Sequence, residues 1–107
     1  MLDMQTIQAA ADRLAAAASS PARIILFGSY GRGDADEGSD LDFMVIEREL
    51  GDKAGEYMRL MDALGRVGTG VDLLICPQAE FERRSQVPGT VLYWAVKEGR
   101  VLHDALH

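Results

Sequence analysis

The apolar run Ile24-Ile25-Leu26-Phe27 stops abruptly at Gly28 and gives way to a polar, glycine-rich stretch that lasts to Ser39. A short run of β-formers without alternation reads as a strand covered on both faces. The switch to glycine and polar residues predicts a loop directly at its end. A second strand is predicted from about Leu41 to Glu47, and a third from Val71 to Cys76, stopped by Pro77. Met4, Ile7, Ala11, Leu14 and Ala18 recur at steps of three and four, the spacing of one apolar helix face. Ser19-Ser20-Pro21 closes that helix. Ala54, Tyr57, Met58, Met61 and Leu64 repeat the spacing before Gly68 and Gly70 break it. Gln78 to Gln86 reads as a short polar helix, and Pro88 to Glu98 as a more apolar one ending in a left-handed cap at Gly99. Val101-Leu102 reads as a last extended piece. This order of elements predicts a compact α/β or α+β sheet domain.

A chain of 107 residues fits one domain, taken here as 1–107. No apolar run approaches the ~20 residues of a membrane-spanning helix, so no membrane association is expected. Met1 to Ala18 lacks the basic start and continuous apolar stretch of a signal peptide, and Cys76 is the single cysteine. A reducing cytoplasm is the expected location. The net charge of −6 argues against a broad basic face for nucleic acid. Part of the acid excess (Glu47, Glu49, Asp52, Glu56) is expected on solvated surface. The rest is concentrated between Asp34 and Asp42.

Within Gly28-Ser29-Tyr30-Gly31-Arg32-Gly33, a glycine after a buried strand permits close approach of a ligand or another backbone. The following residues can turn into a helix whose first N–H groups bind an anion. Ser29 adds a hydroxyl, and Arg32 a fork of donors matched to phosphate oxygens. Asp40 and Asp42 stand two apart at the mouth of the second strand, which sends both side chains to one face. Two such carboxylates repel unless a divalent cation lies between them, and Mg²⁺ takes one or two carboxylates plus substrate phosphates. Asp72 interrupts an otherwise apolar strand. If the third strand lies beside the second, Asp72 completes a two-metal site and stands closest to an attacking hydroxyl.

Other readings of the loop fail. Asp34 stands where a Walker A loop needs lysine, and the glycines run G-x-x-G-x-G, which is not the dinucleotide order. A calcium loop starting at Asp34 would have Ser39 at its glycine position and Val45 at its closing glutamate. Ser39 is expected to hydrogen-bond its own turn. Tyr93 and Trp94 are expected in the core, Cys76 as a small buried hydrophobe, and His103 and His107 in a chemically inert tail.

The Gly28–Gly33 motif, the acidic spacer, Ser39-Asp40-Leu41-Asp42 and the later strand Asp72 resemble the minimal nucleotidyltransferase family of the DNA polymerase β-like superfamily. The resemblance extends over nearly the whole chain, to the tail Lys97-Glu98-Gly99-Arg100-Val101-Leu102. It implies a small mixed β-sheet flanked by helices. It implies two Mg²⁺ ions on Asp40, Asp42 and Asp72, and ATP gripped by Gly28, Ser29 and Arg32. It further implies a HEPN-domain toxin as partner in a hetero-oligomer, with this chain as the antitoxin that transfers AMP to a tyrosine of the toxin. Gly31 departs from the family's usual alanine and is expected to loosen the loop. Two alternatives stand beside this reading: an antitoxin that neutralises its partner by binding alone, and a small-molecule nucleotidyltransferase of the aminoglycoside type.

Overall fold

The computed structural model describes residues 1–106 in the element order α1 (Met4–Ala17), β1 (Ala22–Phe27), α2 (Gly28–Arg32), β2 (Leu41–Glu47), α3 (Lys53–Leu64), β3 (Val71–Pro77), α4 (Gln78–Arg84), α5 (Val91–Glu98) and β4 (Arg100–Asp104). His107 lies outside the described residues. The four strands form one mixed sheet in the order β3-β2-β1-β4. β1 runs antiparallel to both β2 and β4, while β2 and β3, joined through α3, are parallel.

Both faces of the sheet are covered, as the unbroken apolar run in β1 requires. Ile24, Leu26, Leu41, Phe43, Val45, Leu73 and Ile75 pack against α1 and α3 on one face. Ile25, Met44, Ile46 and Cys76 pack against Phe81 of α4 and Leu92 and Ala95 of α5 on the other. Helix starts are fixed by side-chain caps: Asp3 accepts from the Thr6 N–H at 2.8 Å, Asp52 from Gly55 at 3.1 Å and Thr90 from Tyr93 at 3.1 Å. Among the described residues no helix is long and apolar enough to cross a membrane.

Several expectations are corrected. α3 buries Glu56, Leu60 and Leu64, while Met58 is 69% exposed and Tyr57 and Ala54 also face outward. Glu47 and Glu56 are therefore not solvated surface but buried. The Glu56 carboxylate accepts from the Ser19 N–H and hydroxyl and from Arg59, which explains how it can stay inside. Gly99 is extended (φ −82°, ψ 171°) rather than left-handed. A Cβ there would stand 2.2 Å from the Ala95 carbonyl oxygen and 2.7 Å from Ile25, so the glycine serves close packing where α5 turns into β4. His103 is no tail residue; it lies in β4 opposite Ile24. Gly31 is buried, and a Cβ would meet the Leu26 carbonyl oxygen at 2.5 Å. It lets α2 sit tightly on β1 instead of loosening the loop.

Candidate functional site

The end of β1, the start of β2 and the start of β3 meet at one corner of the sheet. Phe27 pairs with Asp42 across β1 and β2, and Asp42 pairs with Asp72 across β2 and β3. The three side chains form a row on one face, with neighbours one inter-strand step of about 4.8 Å apart. Asp40 stands two residues before Asp42, where its carboxylate lies over Gly70, so that a Cβ on that glycine would meet Oδ1 at 2.5 Å. The two rim loops are tied together: Leu41 N–H donates to the Gly70 carbonyl at 2.8 Å and the Thr69 hydroxyl to the Ser39 carbonyl at 3.1 Å. The structure thus sets Asp42 beside Asp72, with Asp40 at the rim of the same corner, over Gly70.

Gly28 and α2 close the site from the β1 side. Gly28 has φ +66°, a conformation that favours glycine, and a Cβ built there would fall 2.0 Å from Oδ2 of Asp42. The backbone at Gly28 and Ser29 can lie against the carboxylates only because residue 28 has no side chain. Tyr30 anchors the turn from beneath: it is buried, and its hydroxyl accepts from the Leu2 N–H at 3.1 Å. Arg32 leans back across the turn, with Nε 3.3 Å from Asp34 and 3.7 Å from Glu98 of α5. Ser39 behaves as expected of a turn residue, its hydroxyl accepting from the Asp36 N–H at 3.0 Å.

The electrostatics follow from this crowding. Burial first, then a hydrogen bond to Asp72 and the charges of Asp72 and Asp40, push Asp42 up to about 6, with Arg32 pulling the other way. Among the described residues no three Asp, Glu, His or Cys side chains are already gathered into a metal-holding cluster. What the corner offers is a carboxylate pair with a third acid beside it. That donor set suits Mg²⁺, an oxygen-seeking ion that relies on substrate phosphates and water for the rest of its shell. A cation there would also offset the charges of Asp72 and Asp40, which add to burial in holding Asp42 above its ordinary pKa.

Of the two aromatics expected in the core, Tyr93 is only partly buried and Trp94 borders this corner. Trp94 is not core: it is 50% exposed and, with Phe27, Gly28, Arg32, Val91 and Glu98, lines an open cleft of about 420 Å³. Val91, Trp94 and Glu98 follow at i, i+3 and i+7, one face of α5, while Leu92 and Ala95 hold the buried face. That spacing was visible in the sequence. Cys76 is buried as expected, and burial pushes its thiol up to about 11.

Residues 7–98 match the sequence pattern of the family described as "Nucleotidyltransferase domain". A curated protein of Methanocaldococcus jannaschii named "Putative protein adenylyltransferase" is 40% identical over 55 residues, covering 51% of this chain and 54% of that protein. The match thus spans about half the length of the curated relative. Two solved structures share the fold. One is a toxin–antitoxin with AMP-PNP (TM-score 0.67, 23% identity, 98% of this chain and 76% of that one). The other is a mutant of the toxin–antitoxin MntA–HpeT (TM-score 0.66, 21% identity, 98% and 76%).

Proposed function

The chain belongs to the nucleotidyltransferase domain family, and from that premise we propose that it transfers AMP from ATP, with Mg²⁺, to a tyrosine of a cognate HEPN-domain toxin and so acts as its antitoxin. The observation that carries this reading is the side-by-side pairing of Asp42 and Asp72 on parallel strands, with the backbone of Gly28 against Asp42. The name of the curated relative favours a protein as acceptor. The toxin–antitoxin neighbours favour a toxin as that protein.

In this reading the backbone N–H groups of Gly28 and Ser29, the Ser29 hydroxyl and the Arg32 guanidinium hold the triphosphate. Asp40, Asp42 and Asp72 would hold two Mg²⁺ ions, whose charge would offset that of the phosphates and keep the attacking and leaving oxygens in line. Asp72 is exposed on β3, an edge strand of the sheet, within reach of an incoming acceptor in this reading. It accepts the proton of the attacking hydroxyl as the new bond to the α-phosphorus forms. The bond to the β-phosphate bridging oxygen breaks, and pyrophosphate leaves with the electron pair. Residues 1–107 act as one domain in the cytoplasm, in a hetero-oligomer with the toxin and without direct contact to nucleic acid. The acidic balance of the chain fits that division of labour.

Intact mass spectrometry of the partner, co-expressed with this chain, tests the proposal. The expected result is a gain of one or more AMP units. A partner neutralised at unchanged mass would instead support inhibition by binding alone.

A further inference from the structure

We infer that the open edge of β3 is the docking surface for the acceptor protein, which adds one extended segment to the sheet with the hydroxyl-bearing residue opposite Asp72; this rests on the nucleotidyl-transfer reading above. β3 ends the sheet on one side, and among the described residues no strand pairs with its outer edge. In a parallel pair the N–H and C=O of one residue turn to the same side, and successive residues alternate. The Leu41 N–H donates to the Gly70 carbonyl, so Asp72, Leu74 and Cys76 turn their backbone groups toward β2, while Val71, Leu73 and Ile75 turn theirs outward.

The two edges of the sheet differ in how they are protected. β4 carries Arg100 and Asp104, shifts register opposite Ile24 and Ile25, and has its Leu102 carbonyl occupied by the Gln8 amide at 2.9 Å. Charges and irregularities of this kind keep an edge from recruiting another strand. β3 keeps an unbroken register from Val71 to Pro77, and Leu73-Leu74-Ile75-Cys76 carries no charge. A cavity of about 290 Å³ lies along it, lined by Leu73, Leu74 and Ile75 together with Tyr57 of α3 and Val91 and Leu92 of α5. Lys53 and the ion pair of Glu80 with Arg84 complete the lining, and Leu74 is 40% exposed. An extended segment answers both features at once: its backbone pairs with Leu73 and Ile75, and its alternate side chains enter the cavity.

Continuity with the carboxylates identifies the occupant. Asp72 and Leu74 stand two apart and share one face of the sheet. A residue opposite Asp72 on an added strand presents its side chain on that same face, and the residue two places along lies opposite Leu74. The segment that fits therefore carries its hydroxyl at the first position and an apolar side chain at the second. A second copy of this chain paired along the same edge would cover Asp72 and exclude the acceptor, so the occupant compatible with transfer is the acceptor itself.

Amide exchange of the isotope-labelled chain, followed by NMR alone and with the unlabelled cognate partner, tests the inference. In the chain alone the Leu73 and Ile75 amides are expected to exchange faster than those of Asp72 and Leu74, and the partner is expected to slow the first pair by roughly tenfold or more. Leu74→Gln is expected to raise the KM for the partner about tenfold through the loss of one apolar contact, with the Kd for Mg·ATP unchanged. Transfer of α-phosphate label to a partner that leaves Leu73 and Ile75 exchanging freely, or an unchanged KM in Leu74→Gln, overturns strand addition and leaves the transfer reading standing. Protection of Leu73 and Ile75 that grows with the concentration of the chain alone assigns the edge to a second copy, and overturns it too. No label transferred to the partner by the native chain with Mg·ATP overturns the nucleotidyl-transfer reading, and this inference with it.

Discussion

Strand β2 carries near each end a carboxylate held above its ordinary pKa, Asp42 at about 6 and Glu47 at about 7, and the two arise from different surroundings. Asp42 borders the open corner with two other acids, where a cation can relieve it. Glu47 is sealed from solvent, and neither of its oxygens accepts a well-formed hydrogen bond. Burial and its neighbour Glu56 push it up, while Glu56, supported by Ser19 and Arg59, is lowered. The pair is best described as a neutral Glu47 that keeps its proton and faces an ionised Glu56. The folded chain then keeps on Glu47 a proton that the unfolded chain releases above about 4.5. The stability this contributes is full below that value and is lost as pH rises through about 7. Glu56 has the opposite sign: its contribution is present above its ordinary 4.5 and is lost as the pH falls through its lowered value. Glu47→Gln, which keeps the volume and always offers an N–H donor, is expected to flatten the fall between 4.5 and 7. At pH 8 it should stabilise the fold by on the order of 1–2 kcal/mol. Urea unfolding across that range measures it; a variant whose stability falls with pH as steeply as the native chain's would remove the shared proton from the account. Nothing in the sequence around Glu47 announces this pair, because its partner lies on another element and composition alone reads both acids as surface.

Among the elements, the strands were the most legible. β2 begins and ends where its apolar run does, at Leu41 and Glu47, and β1 and β3 are shifted from expectation by at most two residues. The reason is that β1 and β2 are covered on both faces, so their hydrophobicity is continuous and bounded sharply by Gly28 and Ser39, while β3, exposed at Asp72 and Leu74 on one face, is still bounded sharply by Pro77. α3 was legible as a helix but not in its orientation. Its methionines and tyrosine suggested one inward face, yet Leu60 is fully buried and Met58 looks outward. The buried stripe Glu56-Leu60-Leu64 contains a charged residue, which an apolar count discards. Leu60→Ala is expected to cost about 2–5 kcal/mol, while Met58→Lys should stay within about 0.5 kcal/mol. Chemical denaturation of the two variants decides between the faces, and the reverse order of costs would restore the stripe read from the sequence. α5 shows the same limit: its end at Glu98 was clear, but it starts at Val91 and not Pro88, and the exposure of Trp94 depends on where the helix crosses the sheet.

At the scale of the whole molecule, the sheet order β3-β2-β1-β4 is what brings the end of β1 and the starts of β2 and β3 to one corner. The sequence carried the motif Gly28-Ser29 and the carboxylates, and the condition it set for Asp72, that β3 lie beside β2, is met in register. The cleft beyond Phe27 was not legible, because it lies between α5 and the β1–α2 turn, elements more than fifty residues apart in the chain. Nucleotidyl transfer differs from phosphoryl transfer in which phosphate the acceptor receives, and that difference tests the central reading most directly. The chain is incubated with its cognate partner and Mg²⁺, using ATP labelled at the α-phosphate in one reaction and at the γ-phosphate in another. Label on the partner is expected from the α-phosphate only, lost on chelation of the metal and absent with a folded Asp42→Asn variant. Label arriving from the γ-phosphate, or undiminished α-label with Asp42→Asn, would contradict the account.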